Sequence, residues 1–201
     1  MVVGKLDTVG KSTSHLAVMR SDGTGLRILT AAGDQAGFPS WSPDGKRLVY
    51  RAPANTGKGL RIIDVDSEQI TELTNGPHND NFPSWSPAGD QIAFTSDRDG
   101  DYEIYSIRAD GKDLKRLTHA LGNDAHSTWS PDGKWIAFAS TRTGYKDEAL
   151  QYPYNGQPEG EIYVMRSDGF DVCRLTEDQY EKATPAWAPF SARTARERKG
   201  R

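Results

Sequence analysis

The sequence predicts an all-β chain of four-stranded antiparallel sheets, and three observations carry that expectation. The first is repetition. "FPSWSP" stands at Phe38 to Pro43 and again at Phe82 to Pro87. With Trp41 as anchor, Trp85 follows at 44 residues, Trp129 at 44 more and Trp187 at 58. A period of this length marks a repeat architecture, in which each unit buries its apolar faces only against its neighbours. The second is punctuation. Each of the first three anchors is followed by a Ser-Pro-x-Gly run such as Ser42 to Gly45, where proline suits the second turn position and glycine the fourth. The third is that the segments between turns are short and β-rich and lack helical periodicity.

Each unit divides into four segments. "FPSWS" is the first strand, and the Ser-Pro-x-Gly run after it is a hairpin turn. The second strand is "RLVY", "QIAF" or "WIAF", apolar at alternate and adjacent positions, as in a strand covered on both faces. The third is "IYSI" or "IYVM", and after an Asp-Gly turn the fourth is "LKRLT" or "VCRLT". Stacked radially, such sheets make a β-propeller of about four blades. Each "FPSWS" copy is then the inner strand of a blade, its tryptophan packed between neighbouring blades.

The N-terminal "LAVMRSDGTGLRILT" (Leu16 to Thr30) supplies third and fourth strands ahead of Trp41, with "MVVGKL" as a weak second strand. At the other end "TPAWAP" is a further inner strand, and the turn after Trp187 lacks the glycine of the earlier copies. Two arrangements follow: a four-bladed ring clasped by "TPAWAP", or part of a larger propeller. The repeats occupy 1–190, and 191–201 reads as a disordered basic tail.

Taken together, these residues resemble the TolB-like (WD-like) β-propeller repeats, whose hallmark is close to "PSWSPDGKxIAFxSDRDGxxEIYxMxxDGxxLxRLT". The stretch Phe82 to Thr118 matches almost throughout, and the resemblance extends from Leu16 to Pro189. It implies the propeller fold, and periplasmic residence if the N-terminus is truncated. It implies no single activity, because similar repeats also form propellers attached to serine peptidases and some polysaccharide lyases.

Composition narrows the function classes. The 201 residues are 35% hydrophobic and 26% charged, as in a soluble domain. There is no apolar run of the length a membrane helix needs, and the N-terminus has no apolar core of a secretory signal. The net charge of −3 divides into +4 on Ser191 to Arg201 and −7 on the rest. An acidic body argues against a nucleic-acid partner. Cys173, the single cysteine, excludes an internal disulfide and reads as a small buried apolar residue.

Candidate binding residues lie on one face. The turns between strands one and two and between three and four share a face and are short and repetitive. The opposite face gathers the loops leading into each inner strand and those joining strands two and three, where the copies differ. The lead-in loops place Gln35, His78, Asn79, Asp80, Asn123, Asp124, His126, Glu181 and Lys182 at the channel mouth. On the same face, Tyr145 to Glu159 adds 14 residues to the usual spacing. There Tyr145, Tyr152 and Tyr154, with Lys146, Asp147 and Glu148, suit a recognition patch.

Sharper catalytic motifs fail on spacing. "GKST" at Gly10 to Thr13 lacks the first glycine of a phosphate loop at the required distance and precedes a strand. "DRDGDYE" at Asp97 to Glu103 is not a twelve-residue calcium loop, and no G-x-S-x-G occurs. His78, Asp80, Asp124 and His126 have ligand chemistry but are not repeated in the other copies, so no metal or other cofactor is expected. The expected function is a non-catalytic binding or scaffold module that meets a protein, peptide or glycan through its loop face. The alternatives are a metal-assisted polysaccharide lyase-like propeller and an accessory propeller of a serine peptidase.

Overall fold

The computed structural model describes residues 2–6, 12–31, 35–53, 58–143, 160–177 and 182–189. Glu181, the insertion residues Tyr145, Lys146, Asp147, Glu148, Tyr152 and Tyr154, and the basic tail lie outside the described residues.

Among the described residues fifteen strands form four sheets. The first sheet is β1 (Val2–Leu6), β2 (Ser12–Val18) and β3 (Arg27–Ile28), in the order β1-β2-β3. The second is β4 (Gly37–Trp41), β5 (Arg47–Pro53), β6 (Lys58–Asp64) and β7 (Ile70–Glu72). The third is β8 (Asp80–Trp85), β9 (Gln91–Ser96), β10 (Glu103–Arg108) and β11 (Lys115–Arg116), and the fourth is β12 (Asp124–Trp129), β13 (Trp135–Ser140), β14 (Glu161–Arg166) and β15 (Cys173–Arg174). Each of the last three sheets is an antiparallel meander in chain order. These are the predicted four-stranded blades. "MVVGKL" pairs with β2 as a second strand, and the Ser12 and Thr13 of "GKST" open β2.

The turns form as their residues dictate. Gly45, Gly89 and Gly133 each donate N–H to the serine three residues earlier, at 2.9, 3.0 and 2.8 Å. The terminal threonine of each "LT" also closes its blade. The hydroxyls of Thr30, Thr74, Thr118 and Thr176 accept from the amides of Leu16, Leu60, Ile104 and Ile162, each at 2.9 Å. That bond ties the fourth strand to the start of the third and satisfies an amide the short outer ladder leaves over.

The core lies between sheets. Leu16, Leu29, Leu48, Tyr50 and Ile63 fill the space between the first and second. Val49, Leu60, Trp85, Phe94 and Tyr105 fill that between the second and third. Ile104, Leu117, Trp129, Phe138 and Met165 fill that between the third and fourth. Trp85 and Trp129 are 6% and 8% exposed, as expected of a tryptophan between blades. Trp41 and Trp187 correct that expectation: they are 46% and 36% exposed, and among the described residues the first sheet has no inner strand to cover Trp41. Cys173 is also exposed rather than buried, because it lies on the outermost strand of its sheet.

Residues 182–189 occupy the inner-strand place beyond the fourth sheet. Lys182 N donates to Gly160 O at 2.8 Å and Gly160 N to Lys182 O at 3.0 Å. The Trp187 indole donates to Thr128 O at 3.1 Å, as the Trp129 indole donates to Ser84 O at 3.0 Å. Among the described residues this segment forms no ladder with β1.

Candidate functional site

Each complete inner strand carries the same irregularity near its start. The register with the second strand shifts between Gly37 and Ser40, between Asn81 and Ser84, and between Ala125 and Thr128. Within each bulge one residue has positive φ: Phe38 at 51°, Phe82 at 51° and His126 at 56°. A bulge re-aims the side chain it holds, and here it aims three rings at one another. Phe38 and Phe82 meet edge to face with centroids 4.5 Å apart. Phe82 and His126 stack with a tilt at 4.0 Å. The file crosses three blades at the end where the lead-in loops arrive.

Arg51, on β5, stands beside this file. Its guanidinium lies 4.8 Å from the centre of the Phe38 ring and donates from Nη1 to Asn81 Oδ1 at 3.3 Å. A Cβ at position 37 would sit 3.2 Å from Arg51 Nη2, so Gly37 leaves the guanidinium its room. Burial lowers the Arg51 pKa below the usual arginine range.

The predicted residues divide into those that meet this file and those that hold the loops. His126 belongs to the file. His78 Nε2 lies 3.8 Å from Asp80 Oδ2. Asn79 donates from its amide and side chain to the Asp97 carboxylate, at 2.6 and 2.7 Å. Asn123 accepts from Tyr102 N at 3.0 Å and donates from its own N to Thr141 Oγ1 at 2.8 Å. Gln35 is exposed at φ 42°, one residue before buried Ala36. Lys182 makes the backbone bridge to Gly160 described above.

Asp80 and Asp124 are fully buried and belong to a repeated network. Asp80 receives Arg98 Nη2 at 3.0 Å and the Thr74 hydroxyl at 2.6 Å, and Asp124 receives Arg142 Nη2 at 2.7 Å. Each arginine lies over an aromatic pair of its own blade, Arg98 over Phe94 and Tyr105 and Arg142 over Phe138 and Tyr163. Glu103 binds Arg116 at 2.6 Å and the Thr118 hydroxyl, and Glu161 binds Arg174 at 3.2 Å and the Thr176 hydroxyl. Burial raises the Asp124 pKa to about 6, against the opposing pull of Arg142. Two further acids of "DRDGDYE" serve this framework as well: Asp97 holds Asn79, and Asp99 takes the Tyr105 hydroxyl at 2.6 Å. Among the described residues no three His, Cys, Asp or Glu side chains are grouped so as to hold a metal ion.

A groove of about 570 Å³ opens on the opposite face, where Ser86, Pro87, Lys115, Trp129, Asp132 and Asp168 line it between the third and fourth sheets. Two of its polar groups are engaged within the fold: Asp132 accepts from Ser130 Oγ at 2.6 Å in its turn, and Lys115 donates across to Asp168 O at 2.6 Å. The aromatic file beside Arg51 is the stronger site, because it brings two phenylalanine rings, an imidazole and a cation together across adjoining blades. Sequence reading missed Phe38, Phe82 and Arg51. The signal was present, since His126 stands 88 residues after Phe38, in the register of the phenylalanines, and Arg51 occupies a place held by Thr95 and Ala139 in the next blades.

Residues 2–148 match the TolB beta propeller domain family. Among solved structures, a TolB candidate from Agrobacterium tumefaciens is 26% identical with a TM-score of 0.75, over 92% of this chain and 65% of that one. TolB from Acinetobacter baumannii is 25% identical with a TM-score of 0.65, over 83% of this chain and 38% of that one. A puromycin-hydrolyzing peptidase from Mycobacterium tuberculosis, 18% identical with a TM-score of 0.66 over 92% of this chain and 31% of that one, shares the fold alone. This chain thus spans less than two thirds of the length of these proteins. With the blade topology described above, the match over residues 2–148 shows that the chain belongs to the TolB β-propeller domain family.

Proposed function

We propose that this chain is a binding module whose loop face receives a protein, peptide or glycan, with the ligand seated on the inner-strand file of Phe38, Phe82 and His126. The observation that carries this reading is the file itself: three rings in contact across three blades, each held at positive φ by a bulge. Backbone held in a sparsely populated region by its surroundings is a feature of ligand clamps, and aromatic rings supply much of the contact energy in recognition. The nearby carboxylates of Asp80 and Asp124 are engaged by arginines, which favours recognition over acid–base chemistry here. The Tyr145 to Glu159 insertion and the lead-in residues Gln35, His78, Asn79 and Lys182 would extend the contact surface.

The test is selection from a displayed peptide library and a glycan array, followed by comparison with a Phe38→Asn/Phe82→Asn double variant. Asparagine is at ease at positive φ, so this change removes the rings without straining the bulge. Selected ligands are expected to lose about tenfold or more in affinity, as for hot-spot removal, with the melting temperature retained. Ligands that bind parent and variant equally would place recognition elsewhere.

A further inference from the structure

Arg51 differs from the other arginines that reach into the blades. Arg98, Arg116, Arg142 and Arg174 each meet a buried carboxylate, on Asp80, Glu103, Asp124 and Glu161. The second blade lacks these acids: Ala36 stands in the register of Asp80, and Gly59 in that of Glu103. Among the described residues no carboxylate lies within ion-pair distance of Arg51, whose neighbours are the Phe38 ring and Asn81 Oδ1. A guanidinium has five N–H donors in a fixed fork, and Asn81 takes one of them. A partly buried cation with no counter-charge among the described residues is costly, yet this one is held in place by a ring, an amide and the space left by Gly37.

We propose that Arg51 and the adjoining file form a subsite for a carboxylate borne next to an apolar or aromatic group, as on an acidic side chain or the chain end of a peptide. The carboxylate pairs with the free edge of the fork, and the apolar neighbour packs on Phe38 and Phe82. A single arginine matches a monoanion, since sites for phosphate dianions gather several basic groups. This inference rests on the binding reading above and specifies the ligand chemistry for it.

The direct test is an NMR titration of the intact chain, following the Arg51 Nε–Hε resonance with phenylacetate, phenylacetamide and inorganic phosphate as probes. Phenylacetate is expected to shift the resonance saturably, the uncharged amide to bind about tenfold more weakly or worse, and phosphate to give no saturable shift. Arg51→Lys keeps the charge but loses the fork and is expected to weaken phenylacetate binding, while Arg51→Met leaves the melting temperature unchanged or higher. Equal response to acid and amide, equal binding of phosphate, or no response at Arg51 would overturn the proposal. Library ligands that need Phe38 and Phe82 but carry no acid would also overturn it, while leaving the binding reading intact.

Discussion

At position 98 an arginine lies across Phe94 and Tyr105 and closes on Asp80, and at position 142 another repeats the arrangement with Phe138, Tyr163 and Asp124. The two aspartates were legible as polar residues of the lead-in loops, but their burial was not, because each partner is supplied 18 positions later in the chain by the loop after the second strand. Asp124 makes a testable case. Burial raises its pKa to about 6, above the unfolded value of about 3.9, so the folded state binds the proton more tightly. Its contribution to stability is then complete below about pH 4 and lost as pH rises through 6. Carboxyl NMR is expected to show a midpoint near 6, and the parent is expected to lose stability relative to Asp124→Asn between about pH 4 and 6. A midpoint at or below the ordinary aspartate value would show that Arg142 outweighs desolvation.

The inner strand is the element on which the fold and the candidate site meet. Its tryptophan end is a packing device, and its bulged end presents the ring file. The tryptophan spacing revealed the element, but not the bulge, since "FPSW" reads equally as regular strand. The lead-in bridge sets where each inner strand begins: Asp124 N donates to Tyr102 O at 2.7 Å, and Lys182 pairs with Gly160 in the same register. Gly160 is required by close approach, as a Cβ there would lie 2.1 Å from Ser140 O. Gly160→Ala is expected to displace residues 182–189 and to cost about 1–3 kcal/mol, as overpacking does. Chemical denaturation measures the loss, and Trp187 fluorescence reports the displacement. Unchanged stability and fluorescence would show that the bridge does not seat this strand.

Across the whole molecule, the sheets protect one another unequally. Leu29 and Leu117 end their blades' fourth strands under a following blade, at 6% and 3% exposure. Leu175 holds the equivalent place in the last blade and is 58% exposed. Trp41, on the second sheet beside the three-stranded first, is 46% exposed as well, and exposed apolar surface of this kind favours association. In the 201-residue chain, Leu175→Lys is expected to reduce self-association in sedimentation velocity. The melting temperature should stay within a few degrees, which is about 1 kcal/mol for a domain of this size. A collapse of the fold would show that Leu175 is covered from within the chain.

The sequence by itself determined the blades. The 44-residue tryptophan period, the Ser-Pro-x-Gly turns and the alternating apolar segments are local, repeated instructions, and local hydrogen bonding and burial suffice to read them. Even the weak strand at "MVVGKL" was legible, because the blade pattern left one place for it. Tertiary structure alone decided which polar groups are spent on the framework and which face outward. Asp80 and Asp124 are closed off by arginines from a later loop, and the rings of Phe38, Phe82 and His126 meet only because three bulges from three blades lie side by side. Arg51 stands apart for the same reason: whether a charge is paired depends on neighbours brought together by packing, and those are distant in the chain.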